Sequence, residues 1–420
     1  MAAAWGWDLR LVGSALLSKN SHSRSQILAA LICRQNLHLQ HCRRLPALLQ
    51  QNSTAGTRDM NSLNQIVYLL KNIAPLQLAA DWDNVGLLVE PAPPKYISKI
   101  MLTNDLTIPV LEEAKNKTVD LIISYHPPIF QPLKRLSQNS WKERILVDCI
   151  ENRIAVFSPH TSHDAIPGGV NDWLLSAFDV KKDSVSAIEV SQECVDGNSH
   201  VLEVDVDQEK LSRVRDKSLI SGLPAESRLR TNKDLFTLHP IRVNSSTGSE
   251  LWRLRVECQQ SELGDMIKGL MAAHPHVKYS VTPLSKVPRP ASGMGRRAEL
   301  SAPVTLETAI TKVKSHLGLS HVSVAKAIGK DDQDINTIAV CAGSGSGVLN
   351  GVDADLLLTG EMSHHGVLDA VHAGSHVILC QHSNTERGYL KQFQEKLVSL
   401  IGNSVEIFVS EVDQDPLMVV

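Results

Sequence analysis

The sequence predicts an α/β protein made of two similar halves separated by a ferredoxin-like α+β insert. Two observations carry this. Short apolar runs that end in polar or glycine-containing loops come in two groups, Ile100 to Leu102, Leu121 to Ile123 and Ile154 to Phe157, then Ile338 to Cys341, Leu356 to Leu358 and Val377 to Cys380. Runs of this kind suit strands buried on both faces of a largely parallel sheet. Between the groups the pattern changes to strict alternation: Leu202, Val204 and Val206 with Glu203 and Asp205, and Trp252, Leu254, Val256 and Cys258 with Arg253, Arg255 and Glu257. Alternation marks strands with one wet face.

The 420 residues exclude a single small module, since a domain takes roughly 150. The folded body begins with a helix in which Leu63, Ile66, Val67, Leu70 and Ile73 recur at helical spacing, with Asn61 or Ser62 as N-cap and Pro75 as the stop. In the insert each alternating strand is followed by a helical pattern, Leu211 and Val214 after the first and Leu263, Met266, Ile267 and Leu270 after the second. Val277, Tyr279 and Val281 then form a further strand. Pro283 to Gly295 reads as the exit linker. The expected boundaries are 1–58 for a basic leader, 59–192 for the first half, 193–290 for the insert and 291–420 for the second half.

The leader holds Asp8 as its only acid against Arg10, Lys19, Arg24, Arg34, Arg43, Arg44 and Arg58, the composition of a mitochondrial transit peptide or of an unstructured extension. Met60 offers a second start, which leaves one product in the cytosol. A net charge of −3 gives no whole-chain field for nucleic acid, so direct DNA binding is not expected. No apolar run approaches the ~18 residues of a membrane span, so a soluble protein is expected. The seven cysteines are scattered and contain no C-x-x-C pair, which fits a reducing compartment better than a disulfide framework or a thiolate zinc site.

Chemistry concentrates where the halves can be laid over one another. Ile154 to Phe157 runs into Ser158-Pro-His160-Thr-Ser-His-Asp164, and Val377 to Cys380 runs into Gln381-His382-Ser-Asn-Thr-Glu386. Both read as a strand followed by His-x-x-x-carboxylate. In a helix beginning at the histidine, positions i and i+4 share a face, so imidazole and carboxylate form a two-point grip on a metal. One such pair alone is more often a helix cap, but repetition in matched contexts favours ligation. His126 follows the strand Leu121 to Ile123 and joins this set, giving His126, His160, Asp164, His382 and Glu386 as metal ligands. His364 and His365 follow a strand in the second half; one serves as a proton donor or acceptor while the other packs or bonds Glu361. His163 is expected beyond the ligands or in solvent. Cys341-Ala-Gly343-Ser-Gly345-Ser-Gly347 is a phosphate-cradling loop or a tight turn beside the metal. Arg296 faces an anion or solvent, and Asp105 supports a ligand or makes an Asx turn.

At these residues the chain resembles the Ngg-interacting factor three (Nif-three-like) family, whose bacterial members include proteins named type-two GTP cyclohydrolases. The resemblance runs from about Met60 to Val420. It rests on Trp82-Asp-Asn-Val-Gly-Leu87, Tyr125-His-Pro-Pro128, His160 to Asp164, Gly293-Met-Gly-Arg296, Gly360-Glu-Met-Ser-His-His365, His382-Ser-Asn-Thr-Glu-Arg387 and the acidic close before Asp415-Pro416. It implies two αβα half-domains facing across a dinuclear metal site, with a CutA-like insert, and it places His126, His160, Asp164, His382 and Glu386 on the ligands. Tyr125 stands where the bacterial pattern has a histidine. A phenol with a pKa near 10 is a poorer ligand, so one or two divalent ions (zinc, iron or manganese) are expected per chain.

Two roles follow from the resemblance. One is a regulatory or adaptor protein acting in transcription through protein partners, shuttling between cytoplasm and nucleus, with mitochondrial localisation if the leader functions. The other is a metal-dependent hydrolase of a nucleotide or phosphate-containing substrate, in which metal-bound water attacks while His364 or His365 moves a proton. A homo-oligomer, at least a dimer, is expected in either case.

Overall fold

The computed structural model describes residues 61–193, 198–207, 236–243, 250–273, 276–330 and 333–420. The leader, the helical pattern at Leu211 and Val214, and Cys33, Cys42 and Cys194 lie outside these residues.

Helix α1 (Leu63–Ile73) buries Leu63, Ile66, Val67 and Leu70 on one stripe, as its spacing predicts. After it come β1 (Gly86–Val89), β2 (Lys99–Thr103), α2 (Ile108–Asn116), β3 (Leu121–Ser124), α3 (Trp141–Glu151), β4 (Ala155–Ser158) and the short helices α4 (Thr161–Ala165) and α5 (Val170–Leu175). Strands β2, β3 and β4 are parallel neighbours, while β1 pairs antiparallel with β4. Successive side chains of a strand point to opposite faces, and the core divides accordingly. Ile100, Leu102 and Ile123 join one cluster with α1, whereas Met101, Ile122 and Val156 join another with Val110, Leu111, Ile145 and Leu146 of α2 and α3.

The middle of the chain forms β5 (Glu189–Glu193), β6 (His200–Asp207), β7 (Phe236–Val243), β8 (Glu250–Cys258), α6 (Gln260–Ala273), β9 (Lys278–Pro283) and β10 (Val287–Met294). Four of these make an antiparallel sheet in the order β7-β8-β6-β9. Its inner face buries Leu202, Val204, Val206, Leu254 and Val256 against Met266 and Leu270 of α6. On its outer face Asp205 stands opposite Arg253 and accepts from its Nε at 2.7 Å. The expected linker Pro283 to Gly295 is therefore structured: β9 ends on Pro283, and β10 pairs antiparallel with β5. Pro288 and Pro290 are tolerated because β5 is the only partner of β10 among the described residues, which leaves the other edge free.

The last part holds β11 (Arg296–Val304), α7 (Leu306–Leu317), β12 (Ser323–Ala325), β13 (Ile335–Ser344), α8 (Ser346–Leu349), β14 (Leu356–Glu361), α9 (His364–His372), β15 (His376–Leu379), α10 (Tyr389–Ile401) and β16 (Glu406–Val409). A second sheet runs β11-β13-β14-β15-β12, with β13, β14 and β15 parallel and both edge strands antiparallel. Strand β16 returns to the first sheet and pairs parallel with β2, so residues more than three hundred positions apart share one ladder. The architecture is mixed α/β. Leu358 and Ile378 of the second sheet belong to the same buried cluster as Ile100 and Leu102 of the first, together with Tyr389, Phe393 and Leu397 of α10.

Arg296 is 2% exposed and faces neither an anionic ligand nor solvent. Its Nε and Nη2 donate to the two carboxylate oxygens of Asp172 at 2.9 and 3.2 Å, and Nη1 donates to the carbonyls of Gly293 and Gly295. Nη2 also reaches the Ile166 carbonyl at 3.0 Å. The planar guanidinium thus ties α5 to the start of β11. Removing it leaves Asp172 Oδ1 and several carbonyls without this donor, and Asp172 Oδ2 with only the Gly168 N–H. Arg296→Met should lower unfolding stability by about 3–5 kcal/mol in denaturant titration; a loss under 1 kcal/mol would refute the clamp.

Candidate metal centre

The carboxyl ends of parallel strands from both sheets meet at one place, where open α/β sheets keep their ligand sites. His126 lies just beyond β3, His160 just beyond β4 and His382 just beyond β15. The His126 ring centroid is 5.2 Å from that of His160 and 5.2 Å from that of His382. Glu386, 3% exposed, places Oε2 3.5 Å from His126 Nε2 and Oε1 3.3 Å from His382 Nε2. Ligand atoms of His126, His382 and Glu386 all fall within 4.8 Å of one another, close enough to share a cation.

Each of the three imidazoles has Nδ1 against a carboxylate. His126 Nδ1 is 2.9 Å from Asp105 Oδ1, His160 Nδ1 is 2.7 Å from Asp83 Oδ1, and His382 Nδ1 is 3.3 Å from Glu361 Oε2. An ionised carboxylate only accepts, so each Nδ1 carries the hydrogen and each Nε2 is left to hold a proton or a cation. This orienting contact is the one metal-ligating histidines make to fix ring and tautomer. Two imidazole nitrogens and a carboxylate fit a borderline divalent ion.

The electrostatics agree. The Glu386 hydrogen bond, reinforced by Glu361, pushes His382 up to about 9. Burial opposes protonation of His126, but Asp105 and Glu386 outweigh it and raise its pKa. Burial would likewise raise Asp83 and Asp105, and their histidines hold both below the usual carboxylate range instead. A proton on His382 thus balances the acids around it when no cation is bound.

The two His-x-x-x-carboxylate stretches are not equivalent. His382 caps a single 3-10 turn at Ser383–Thr385, and Glu386 closes back onto it. His160 precedes α4 with φ of 33°, so the pair does not lie inside one helix as the spacing predicts. Asp164 accepts from Tyr125 Oη at 2.5 Å, and burial pushes its pKa up to about 6. Tyr125 itself is 2% exposed, and burial beside that carboxylate raises the phenol well above its ordinary value.

His364 and His365 begin α9, both exposed, with rings 5.5 Å apart. Glu361 bonds His382 rather than either of them. His163 is not in solvent: it is 2% exposed and packs edge-on against Phe393 and Tyr389, with centroids 4.5 and 5.6 Å away. The glycine loop is a turn, not an open cradle. The N–H groups of Ala342, Gly343 and Gly345 already donate to Asn171, Thr385 and Thr359. Gly343 has φ of 64°, and a Cβ there would meet Glu386 Oε1 at 2.5 Å.

Asp105 supports His126, as one of its two sequence readings held. Asn104, Asp83 and Glu361 were not legible as supports. Buried Asn104 donates Nδ2 to Glu386 Oε2 at 3.1 Å, and its N–H donates to Asp413. The signal that was available is positional: Asn104, Asp105 and Glu361 all stand at carboxyl ends of strands. Trp82 and Phe130, both exposed, flank His160 with centroids 5.9 and 6.4 Å from its ring.

A profile of the Duf34/NIF3 (NGG1p interacting factor 3) family matches residues 61–416. The "NIF3-like protein 1" of Bos taurus is 41% identical over 371 residues, covering 87% of this chain and 94% of its own length. The "NGG1-interacting factor 3" of Saccharomyces cerevisiae is 29% identical over 371 residues, covering 85% of this chain and 96% of its own. Among solved structures, a Bacillus cereus protein related to NIF3 superposes with a TM-score of 0.57 at 26% identity, over 86% of this chain and 100% of that one.

Gly343→Ala should abolish cation binding in calorimetric titration while costing about 1–2 kcal/mol of stability from backbone strain; unchanged affinity would show that the glycine is not needed. His163 is buried neutral, and burial lowers its pKa to about 3. The unfolded chain therefore takes up a proton that the folded one refuses, and stability falls as pH drops from about 6.5 toward 3. His163→Leu should reduce that slope by up to about 1.4 kcal/mol per pH unit, checked by unfolding at pH 4, 5 and 7.

Proposed function

The chain belongs to the Duf34/NIF3 family, and from that premise we propose that it is a divalent-metal-binding regulatory or adaptor protein that acts in transcription through protein partners. The metal part rests on the convergence of His126, His382 and Glu386 with each imidazole held at Nδ1 by a carboxylate. The partner part is supported by the yeast relative, whose name describes an interacting factor. In this reading one or two ions of zinc, iron or manganese are held by His126, His160, Asp164, His382 and Glu386. Tyr125 bears on the count, because its hydroxyl already occupies one oxygen of Asp164. The two five-stranded sheets with their helices are the αβα half-domains within 59–192 and 291–420, with β16 crossing back to the first, and the four-stranded sheet is the CutA-like insert within 193–290. The protein works as a homo-oligomer in cytoplasm and nucleus, or in mitochondria where residues 1–58 act as a leader.

A second reading, metal-dependent hydrolysis of a nucleotide or phosphate-containing substrate, is favoured by the half-open position of His382, whose side chain is 36% exposed. A bound divalent ion supplies an activated water at neutral pH. The chain's own contribution is to hold the imidazoles in one tautomer and to present Trp82 and Phe130 to a substrate entering beside His160. Exposed His364 or His365 is the proton carrier in this reading.

Metal quantification of the purified full chain and of His382→Ala, followed by assays of both, tests these readings. The expected result is at least one divalent ion per chain in the wild type and less than about a tenth of that in the variant. Partner binding and a transcriptional reporter response that survive in the metal-free variant support the adaptor; turnover of nucleotides or phosphate esters that disappears with the metal supports the hydrolase. A wild-type protein that neither retains a divalent ion nor gains Tm on adding one overturns both.

A further inference from the structure

Trp173 of α5, His316 of α7, and Arg387, Gly388 and Lys391 at the start of α10 line an open cleft of about 600 Å³. No acid lines it, in a chain with 45 acidic residues against 42 basic ones. The wall is tightly fitted. The His316 ring lies on that of Trp173 with centroids 4.7 Å apart, and a Cβ on Gly388 would come within 2.2 Å of the indole, so the glycine lets the ring reach the backbone of α10.

Three groups on this wall lack a full set of partners. His316 Nε2 is buried with no hydrogen-bond partner, and burial lowers the pKa of the ring. A turn of the ring would bring this nitrogen to the cleft, where an anion would supply the counter-charge that lets it take a proton and donate. Lys391 is exposed and makes no ion pair among the described residues. Arg387 contacts Asp413 only at 3.4 Å, through Nε and Nη2, and Ser383 Oγ at 3.0 Å through Nη2, so these bonds leave Nη1 unused. Donors from two helices and the loop before α10 suit a group with three acceptor oxygens better than a flat carboxylate. The volume also exceeds that of a bare ion.

We propose that this cleft binds a small phosphorylated anion, its phosphate held by Lys391, Arg387 and His316. The site is separate from the metal ligands but tied to them: Asp413, which Arg387 contacts, also accepts from the Asn104 N–H at 2.7 Å, and Asn104 holds Glu386. Arg387 is therefore a poor residue to vary, whereas Lys391 and His316 carry no bond to the metal centre.

The full chain and its His382→Ala variant are titrated calorimetrically with inorganic phosphate and with glycerol phosphate. Binding at one site per chain is expected in both proteins. Lys391→Glu should weaken it at least about tenfold with Tm unchanged, and His316→Phe, which keeps the ring on Trp173 but loses its bond to the Trp173 backbone, should weaken it about three- to tenfold with Tm slightly lowered. Tighter binding of the ester identifies an organic phosphate as the occupant, and tighter binding of inorganic phosphate identifies the free ion. Binding that disappears in His382→Ala, or that Lys391→Glu leaves unaltered, overturns the proposal.

Discussion

The organisation of this protein depends on the bond between an imidazole Nδ1 and a carboxylate, made three times at one place. Asp83, Asp105 and Glu361 each fix one ring, and each ring then has a single nitrogen left to offer. A histidine on a loop is free to turn about two torsions, and the acids remove that freedom before any ligand arrives.

Much of the surrounding structure maintains that geometry. Parallel pairing of β2, β3 and β4 brings Asp105, His126 and His160 to the same sheet edge, and β14 and β15 do the same for Glu361 and His382. Strand β16 and the residues after it return the end of the chain to this edge, where Asp413 meets Asn104 and Arg387, and Asp415 accepts from Ser383. The site has a conformational cost, visible at His160, a non-glycine residue at positive φ. The shared core of the two sheets, reinforced by buried Arg296, offsets it. Strain of this kind persists only where packing over-determines it.

The apolar runs were legible because a strand buried on both faces has no polar position to spare: all six runs fall on β2, β3, β4, β13, β14 and β15. The alternating strands β6 and β8 were legible for the opposite reason, since their acids and arginines pair across a wet face. What the sequence hid was the product of tertiary pairing. The prolines of β10 argue for a linker until β5 is seen beside them, and nothing in Glu406 to Val409 says that it lies on β2. At the site, His126, His382 and Glu386 were readable from position and repetition. Asp164 looked equivalent to Glu386, but Tyr125 engages it, a contact that no spacing rule contains. Arg296 looked solvated or turned toward an anion because glycines surround it, whereas those glycines supply carbonyls that its buried guanidinium donates to.

The most direct test of the central claim is X-ray absorption spectroscopy of the zinc-loaded full chain. The arrangement predicts a shell of nitrogen and oxygen only, near 2.0–2.1 Å, with outer-shell scattering from at least two imidazoles. A sulfur ligand near 2.3 Å, or zinc that dialysis removes without leaving an imidazole signature, would contradict it.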